Sequence, residues 1–293
     1  MIYLKLFLTA VIWGGTFVVA RYTVQSVEPF TLAFLRFLVA NLILLPIGFF
    51  QLGKELFRMS LRQLVSFFIL GLTGIFLYNL FFFTGLESME ASRASILVST
   101  NPIFIALLSS LFRHESINFR KFLGLFLSMT GAVMVISRGQ FGVLFQHGIG
   151  RGETLILGCV GSWVLYSVVG KFVLHHTSPL KAVFWSMVFG DAMLFFPAWR
   201  QGLFSQSFSW SLGPWLGILY MAILSGVIGF IWYYQGIEKL GTTLASQFIN
   251  MVPISAVVFG ILFLHEPLTG SLLVGTMGVI AGVILTQTEN SSS

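Results

Sequence analysis

Residues 85–115 read GLESMEASRASILVSTNPIFIALLSSLFRHE, and residues 236–266 read GIEKLGTTLASQFINMVPISAVVFGILFLHE. The second stretch repeats the first at an offset of 151 residues, with the same glycine, glutamate, Ala-Ser, proline and His-Glu positions. Nearer the N-terminus the offset is 150, since Trp13 returns as Trp163. The chain is therefore a tandem duplication.

The composition places this duplication in a membrane. Charged residues make up 9% of the chain and hydrophobic residues 56%, whereas a soluble domain carries about 25% charged residues. The 16 Lys and Arg against 10 Asp and Glu indicate cations kept to loops, so we expect no nucleic-acid partner. Cys159 is the one cysteine, which leaves no disulfide and no thiolate metal site.

Apolar runs bounded by charges, proline and glycine predict an all-α integral membrane protein with ten transmembrane helices. The predicted helices are residues 3–22, 31–50, 64–85, 92–112, 119–137, 153–173, 180–198, 212–234, 242–263 and 269–286. They form two five-helix repeats, residues 1–138 and 153–286, joined by an external connector at 139–152 and followed by a disordered tail at 287–293. Because five is odd, the second repeat is expected to be inverted relative to the first.

Counting cations in the predicted loops gives the orientation. With the N-terminus in the cytoplasm, ten Lys and Arg fall on that side and five on the other. The positive-inside rule therefore places both the N- and C-termini in the cytoplasm. We expect a multi-pass protein of the cell inner (plasma) membrane.

Helices 5 and 10 carry end signals and small residues. Asn118 and Thr269 are predicted N-caps, which puts Glu115 and Glu266 beside helix N-termini, where negative charge is favoured. Small side chains let two backbones approach closely, so we expect these helices to pack tightly, within a monomer or across a homodimer. The small residues are Gly124, Ser128, Gly131, Gly275, Gly278 and Gly282.

Several blocks resemble the EamA branch of the drug/metabolite transporter superfamily, over nearly the whole chain. They are Trp13-Gly14-Gly15-Thr16-Phe17, Leu35-Arg36-Phe37, Glu115-Ser116-Ile117-Asn118 and Glu266-Pro267-Leu268-Thr269. The resemblance implies two inverted EamA repeats that move small organic metabolites by alternating access. Within that family the chain resembles exporters of aromatic amino acids and related metabolites.

A site between duplicated halves is expected near the bilayer midplane. Trp13 and Trp163 lie about ten residues into helices 1 and 6, which is mid-depth at about 1.5 Å per residue. Polar stripes on helices 4 and 9 must face protein or water, so they line a cavity or join helices. The predicted substrate-binding residues are Trp13, Tyr78, Asn79, Phe82, Ser99, Asn101, Trp163, Tyr166, Gln247 and Asn250, with Pro102 and Pro253 as hinges.

Two ionisable residues lie inside predicted helices. Asp191, whose repeat counterpart is the neutral Asn41, either carries a coupling proton, binds a cationic group, or is protonated or paired within the bundle. Arg36 is expected to be structural, with its side chain snorkelling outward, and a charge role is the alternative. Each is costly at a helix centre, about 2.5 to 3.5 kcal/mol.

Together these patterns predict a secondary transporter that exports small amphipathic metabolites, amino acids foremost, through a central cavity. Its partners are the substrate and the lipid bilayer, and no cofactor or metal is expected. The alternatives are a membrane-embedded enzyme acting on a lipid or prenyl substrate and an importer of a cationic or sugar-like solute. The enzyme is disfavoured because no clustered carboxylates or paired nucleophile and base are present in the predicted helices.

Overall fold

The computed structural model describes residues 1–101, 103–105, 108, 119–137, 139–140, 149–206 and 210–287. Over these residues the secondary structure is helical, without a β-strand. Several predictions fall on the remaining positions and lie outside the described residues. They concern Pro102, Glu115, Asn118, most of the connector at 139–152 and the tail at 288–293.

The helices follow the predicted pattern closely. They are α1 (Ile2–Thr23), α2 (Pro29–Leu52), α3 (Leu61–Leu86), α4 (Ala91–Val98), α5 (Phe119–Ile136), α6 (Arg151–Leu174), α7 (Pro179–Arg200), α8 (Leu212–Thr242), α9 (Met251–Leu264) and α10 (Gly270–Gln287). Most described ends lie within three residues of the predicted ones. Helix 8 was predicted to end at residue 234 but continues to Gly241, where the backbone leaves the helical region at φ 82° and ψ 164°.

Six of these helices are long and apolar enough to cross a membrane: α1, α2, α3, α6, α7 and α8. Helices α5, α9 and α10 contain shorter apolar stretches within the described part of the chain. The structure thus confirms an all-helical, multi-pass membrane protein. The count of ten spans and the cytoplasmic termini stay predictions.

Helices α2 and α7 are repeat counterparts that lie side by side in opposite directions. At the start of α2, the Phe30 N–H donates to Gln201 Oε1 beyond the end of α7 (2.9 Å). At the other end, Lys181 Nζ near the start of α7 donates to the Glu55 carbonyl beyond α2 (2.6 Å). Trp185 Nε1 likewise donates to the Leu56 carbonyl (2.7 Å). Each helix therefore satisfies polar groups at the end of the other.

A second polar contact joins the two halves of the chain through Glu266. Its carboxylate accepts hydrogen bonds from the Ala91 N–H (2.8 Å), the Ser92 N–H (3.1 Å) and the Ser92 hydroxyl, at the start of α4. Glu266 does lie beside a helix N-terminus, as predicted. The helix, however, is α4 and not α10, which comes next after Glu266 in the chain. Thr269 is confirmed as the N-cap of α10, since its Oγ1 accepts from the Leu272 N–H (3.2 Å).

Helices α5 and α10 pack backbone against backbone within the chain. A Cβ atom placed on Gly131 would lie 2.7 Å from both the Gly275 carbonyl oxygen and the Val279 nitrogen. Gly131 and Gly275 therefore form a contact within the chain. Packing within a monomer was one of the two possibilities that the sequence predicted. The outer faces of both helices expose apolar side chains such as Phe126 and Met277. A monomer or a homodimer stays a prediction.

The glycine contact between α5 and α10 predicts a matched pair of effects. Gly131→Ala should lower the free energy of unfolding by about 1 to 3 kcal/mol, because the new methyl group overpacks a backbone contact. Gly161→Ala, in the middle of α6, should leave stability unchanged or raise it, since nothing lies within 4 Å of a Cβ there. Thermal unfolding of both variants in detergent, followed by size-exclusion fluorescence, checks this. Equal melting temperatures would contradict the packing described.

Candidate functional site

A cavity lies where the two halves of the chain meet. The centres of water molecules can occupy about 50 Å³ of it. Seven predicted site residues line it: Trp13, Arg36, Tyr78, Asn79, Phe82, Asn101 and Trp163. Seven further residues complete the wall: Thr16, Phe17, Val98, Ser225, Phe230, Ile249 and Val252. The cavity is narrow enough that only a few waters fit in this conformation.

Trp13 and Trp163 meet at the centre of the cavity wall. Their ring centroids are 5.3 Å apart with an interplanar angle of 88°, an edge-to-face contact between repeat counterparts. Trp13 Nε1 donates to the Ser225 carbonyl (3.2 Å), which fixes the orientation of this indole. Each tryptophan lies near the middle of its helix, so the predicted mid-depth pairing agrees with the geometry.

Irregular turns in α3 and α8 place side chains in the cavity. Residues Gly71–Leu77 of α3 and Met221–Gly229 of α8 are π-helical, and the two segments are repeat counterparts within one or two residues at either end. A π-helical turn widens the helix and changes the direction of the side chains that follow, and it often marks functional sites. Tyr78 and Asn79 come directly after the first segment, and Phe230 comes directly after the second.

Tyr166 does not line the cavity but packs behind its wall. Its side chain is fully buried, with its ring centroid 5.3 Å from that of Trp163. The opposite side of the ring faces Gly74, where any Cβ would come within 2.1 Å of Tyr166 Cδ2. In this conformation Tyr166 supports the wall from behind, because the backbone of α3 lies against its ring, and its direct contact with substrate stays a prediction.

Arg36 differs from its prediction. The side chain is only 4% exposed and lines the cavity instead of snorkelling to a surface. Its guanidinium carbon lies 4.7 Å from the ring centroid of Phe37 and 5.7 Å from that of Phe83. Arg36 is seven residues from the start of α2, about 10 Å along the helix, and it projects from a face of the helix that contacts the cavity. The position of Arg36 along α2 suggested snorkelling. The side chain stays buried because it lies on the face of α2 that contacts the cavity.

Asp191 lies outside the cavity, between α2 and α7. Asn41 Nδ2 donates to Asp191 Oδ2 (3.3 Å), so this residue too meets its own repeat counterpart. Asp191 is 5% exposed, and neither Asp191 Oδ1 nor Asn41 Oδ1 has a hydrogen-bond partner among the described residues. The carboxyl group is therefore paired within the bundle, and its role in coupling stays a prediction.

Among the described residues, the predicted Ser99 and Pro253 do not line the cavity. Ser99 donates its hydroxyl to the Ile96 carbonyl (2.6 Å) within its own helix, and Pro253 is buried within α9. Irregular turns precede both predicted hinges, at Ser99–Thr100 and at the 3-10 helix Phe248–Asn250. The side chains of Gln247 and Asn250 lie outside the described residues.

Three of the wall residues that were not predicted follow from the repeat itself. Phe230, Ile249 and Val252 are the counterparts of Asn79, Val98 and Asn101 at an offset of 151. They were missed because the prediction favoured polar and aromatic residues at conspicuous positions. Applying the offset to the candidates Asn79 and Asn101 would have found Phe230 and Val252, whereas Ile249 is the counterpart of Val98, which was not predicted either.

No metal centre is present among the described residues, where no three His, Cys, Asp or Glu side chains come together as ligands would. Cys159 is buried and its Sγ lies 3.5 Å from the Tyr78 carbonyl. The chemistry available in the cavity is therefore aromatic contact, hydrogen bonding and one positive charge. These are the means of binding a solute.

The long apolar helices around a central cavity define a multi-pass membrane transporter. Comparison with known proteins agrees, because the sequence pattern of the EamA-like transporter family matches residues 1–137 and 150–288. The chain belongs to the EamA-like transporter family, and it is a transporter and not an enzyme.

Relatives align over nearly their whole length. The uncharacterized transporter YyaM of Bacillus subtilis is 28% identical over 283 residues, which are 97% of this chain and 92% of the relative. An uncharacterized transporter of Archaeoglobus fulgidus is 29% identical over 284 residues, covering 97% and 96%. A solved crystal structure shares the fold with a TM-score of 0.70 at 20% identity, covering 98% of this chain and 97% of the other.

The Asn41–Asp191 contact predicts different results for two substitutions. Asp191→Leu should lower the free energy of unfolding by about 1 to 3 kcal/mol, because it leaves the Asn41 amide buried without a partner. Asp191→Asn keeps a group that can pair with Asn41 and should leave the stability close to that of the wild type. Melting temperatures in detergent compare the two variants, and a Leu variant as stable as the Asn variant would show that the contact contributes nothing.

Proposed function

We propose that this protein is a secondary transporter that exports small amphipathic metabolites by alternating access, with amino acids, aromatic ones first, as the foremost substrates. The observation that carries this is the two-sided wall of the cavity. The first repeat contributes Arg36, Asn79 and Asn101, whereas Phe230 and Val252 stand at the counterpart positions of the two asparagines. A solute with one polar and one apolar end matches such a wall.

The proposed architecture is ten spans in two inverted repeats, with both termini in the cytoplasm and the binding site between the repeats. The opposite directions of α2 and α7 support the inversion, since these helices are counterparts. In transporters built from inverted repeats, one repeat rocks against the other around a fixed site. The irregular turns before residues 102 and 253 are the proposed points of bending.

The contacts between aromatic rings at the centre of the cavity are part of the proposal. We propose that these side chains separate when substrate enters. Trp13, Trp163 and Tyr78 are the side chains whose contacts close the centre, with centroid distances of 5.3 Å for both Trp163 pairs. We propose that they bind the substrate and also close around it.

The alternative of an importer of a cationic or sugar-like solute is less well supported. The one charged side chain among the described wall residues is the cation Arg36, which repels a cationic solute in a site of low polarity. A sugar would need many hydrogen-bonding groups, whereas most of the lining is aromatic or aliphatic.

The transport role is tested at Trp163. A counterflow screen of labelled amino acids, polyamines and sugars in proteoliposomes first identifies a transported compound. Trp163→Ala should then reduce its flux by about tenfold or more, because the substrate loses an aromatic contact at the centre of the site. Trp199→Ala, at an exposed position near the end of α7, is the matched control. Unchanged flux in a well-folded Trp163 variant would remove this residue from the site.

Asp191 is the proposed carrier of a coupling proton. In the ionised form it shares one hydrogen bond with Asn41, and neither Asp191 Oδ1 nor Asn41 Oδ1 has a partner among the described residues. When protonated, its hydroxyl can donate to Asn41 Oδ1 and complete the pair, so protonation changes the contact between α2 and α7. Asp191→Asn should therefore fold normally and transport substrate without dependence on a proton gradient. A variant still driven by that gradient would reject the coupling role.

A further inference from the structure

The cavity contains buried polar atoms that have no partner in the protein. Arg36 Nε, Asn79 Oδ1 and both side-chain polar atoms of Asn101 make no hydrogen bond to any described residue. The three side chains are 4%, 1% and 1% exposed, respectively, and all three line the cavity. Buried polar groups are almost always paired, so these atoms indicate that something other than the protein completes them.

The charge of the cavity is unbalanced as well. Arg36 is the one charged residue in the described wall. The side-chain ion pairs in the described part of the chain lie elsewhere, between Arg58 and Glu55 and between Arg93 and Glu153. The rings of Phe37 and Phe83 attract the guanidinium, but a ring carries no net charge and cannot neutralise it.

A bound anion would explain both the unpartnered polar atoms and the unbalanced charge of the cavity. A guanidinium presents a planar fork of donors that matches a carboxylate. The Asn101 amide adds two more donors and an acceptor in the same wall. An ammonium group, in contrast, would find amide and carbonyl oxygens but no carboxylate, and would lie close to a buried cation.

From this geometry we infer that the cavity contains a carboxylate-binding subsite formed by Arg36 and Asn101, and that its substrates are small organic carboxylates with an aromatic or apolar body. The aromatic part of the wall, including Phe82 and Phe230, takes the body of the substrate. This inference rests on the proposed transport function, because it names the group by which the same cavity recognises its substrate. Zwitterions are accepted through their carboxylate, and amines without a carboxylate are excluded.

Four compounds with the same ring and different charges test the inference. They are phenylacetate, phenylalanine, 2-phenylethanol and phenethylamine, which are titrated calorimetrically into the purified wild-type protein in nanodiscs. The two carboxylates should bind at least about tenfold more tightly than the alcohol and the amine, as expected for hydrogen bonds to a charged group. Equal binding of all four, preference for the amine, or no binding of phenylacetate overturns the inference.

Substitutions then assign the preference to Arg36. Arg36→Gln should weaken binding of phenylacetate by about 10- to 100-fold and leave binding of the alcohol unchanged. Arg200→Gln, which removes one cation from the exposed end of α7, is the control and should bind as the wild type does. If the Gln variant does not fold, Arg36→Lys serves, since it keeps the charge but loses the planar fork and should bind phenylacetate with an intermediate loss. Wild-type affinity in a folded Arg36 variant overturns the assignment.

The outcomes separate this inference from the transport proposal. Selective binding of phenylacetate without counterflow of any carboxylate would retain the subsite and reject transport through it. Counterflow of an amine or a sugar that does not depend on Arg36 would retain transport and reject the subsite.

Discussion

The structure depends on the need of polar helix ends for partners inside a molecule that is mostly apolar. An unpaired backbone group in hydrocarbon costs several kcal/mol, and here the second half of the chain supplies partners for the first. Gln201 accepts from the start of α2, Lys181 donates to the carbonyls beyond its end, and Glu266 accepts from the start of α4. The contacts at the two ends of α2 hold it beside α7 in the opposite direction, and the Glu266 contact joins the start of α4 to the second half of the chain.

Within that frame, two departures from the regular α-helix make the cavity possible. The π-helical turns of α3 and α8 aim Tyr78, Asn79 and Phe230 inward. Because the duplicated halves differ in sequence, the same backbone arrangement places asparagines in the wall from the first half and apolar side chains at the counterpart positions of the second half. A symmetric scaffold with an asymmetric lining can thus orient a solute that has two unlike ends.

The sequence predicted the helices well, because long apolar runs bounded by charges, proline and glycine leave few alternatives. It also predicted the Trp13–Trp163 contact, since the repeat offset and mid-helix depth act together. Facing directions were harder: Arg36 was expected to snorkel outward but lines the cavity, because depth along a helix does not tell which neighbour a side chain meets. The apolar wall residues Val98, Ile249 and Val252 carry no chemical signal, and only Val252 could have been identified, through its relation to the predicted Asn101.

The contact between Asn41 and Asp191 has a consequence for how such a chain can diverge after duplication. Where a residue contacts its own repeat counterpart, a substitution made in both repeats changes both sides of the same contact. Two identical halves with aspartate here would set two carboxylates within hydrogen-bonding distance, a strongly unfavourable arrangement when both are ionised. A single acid that faces a neutral amide at this position therefore requires two halves that differ in sequence, whereas two identical subunits would have to share one proton between two carboxylates.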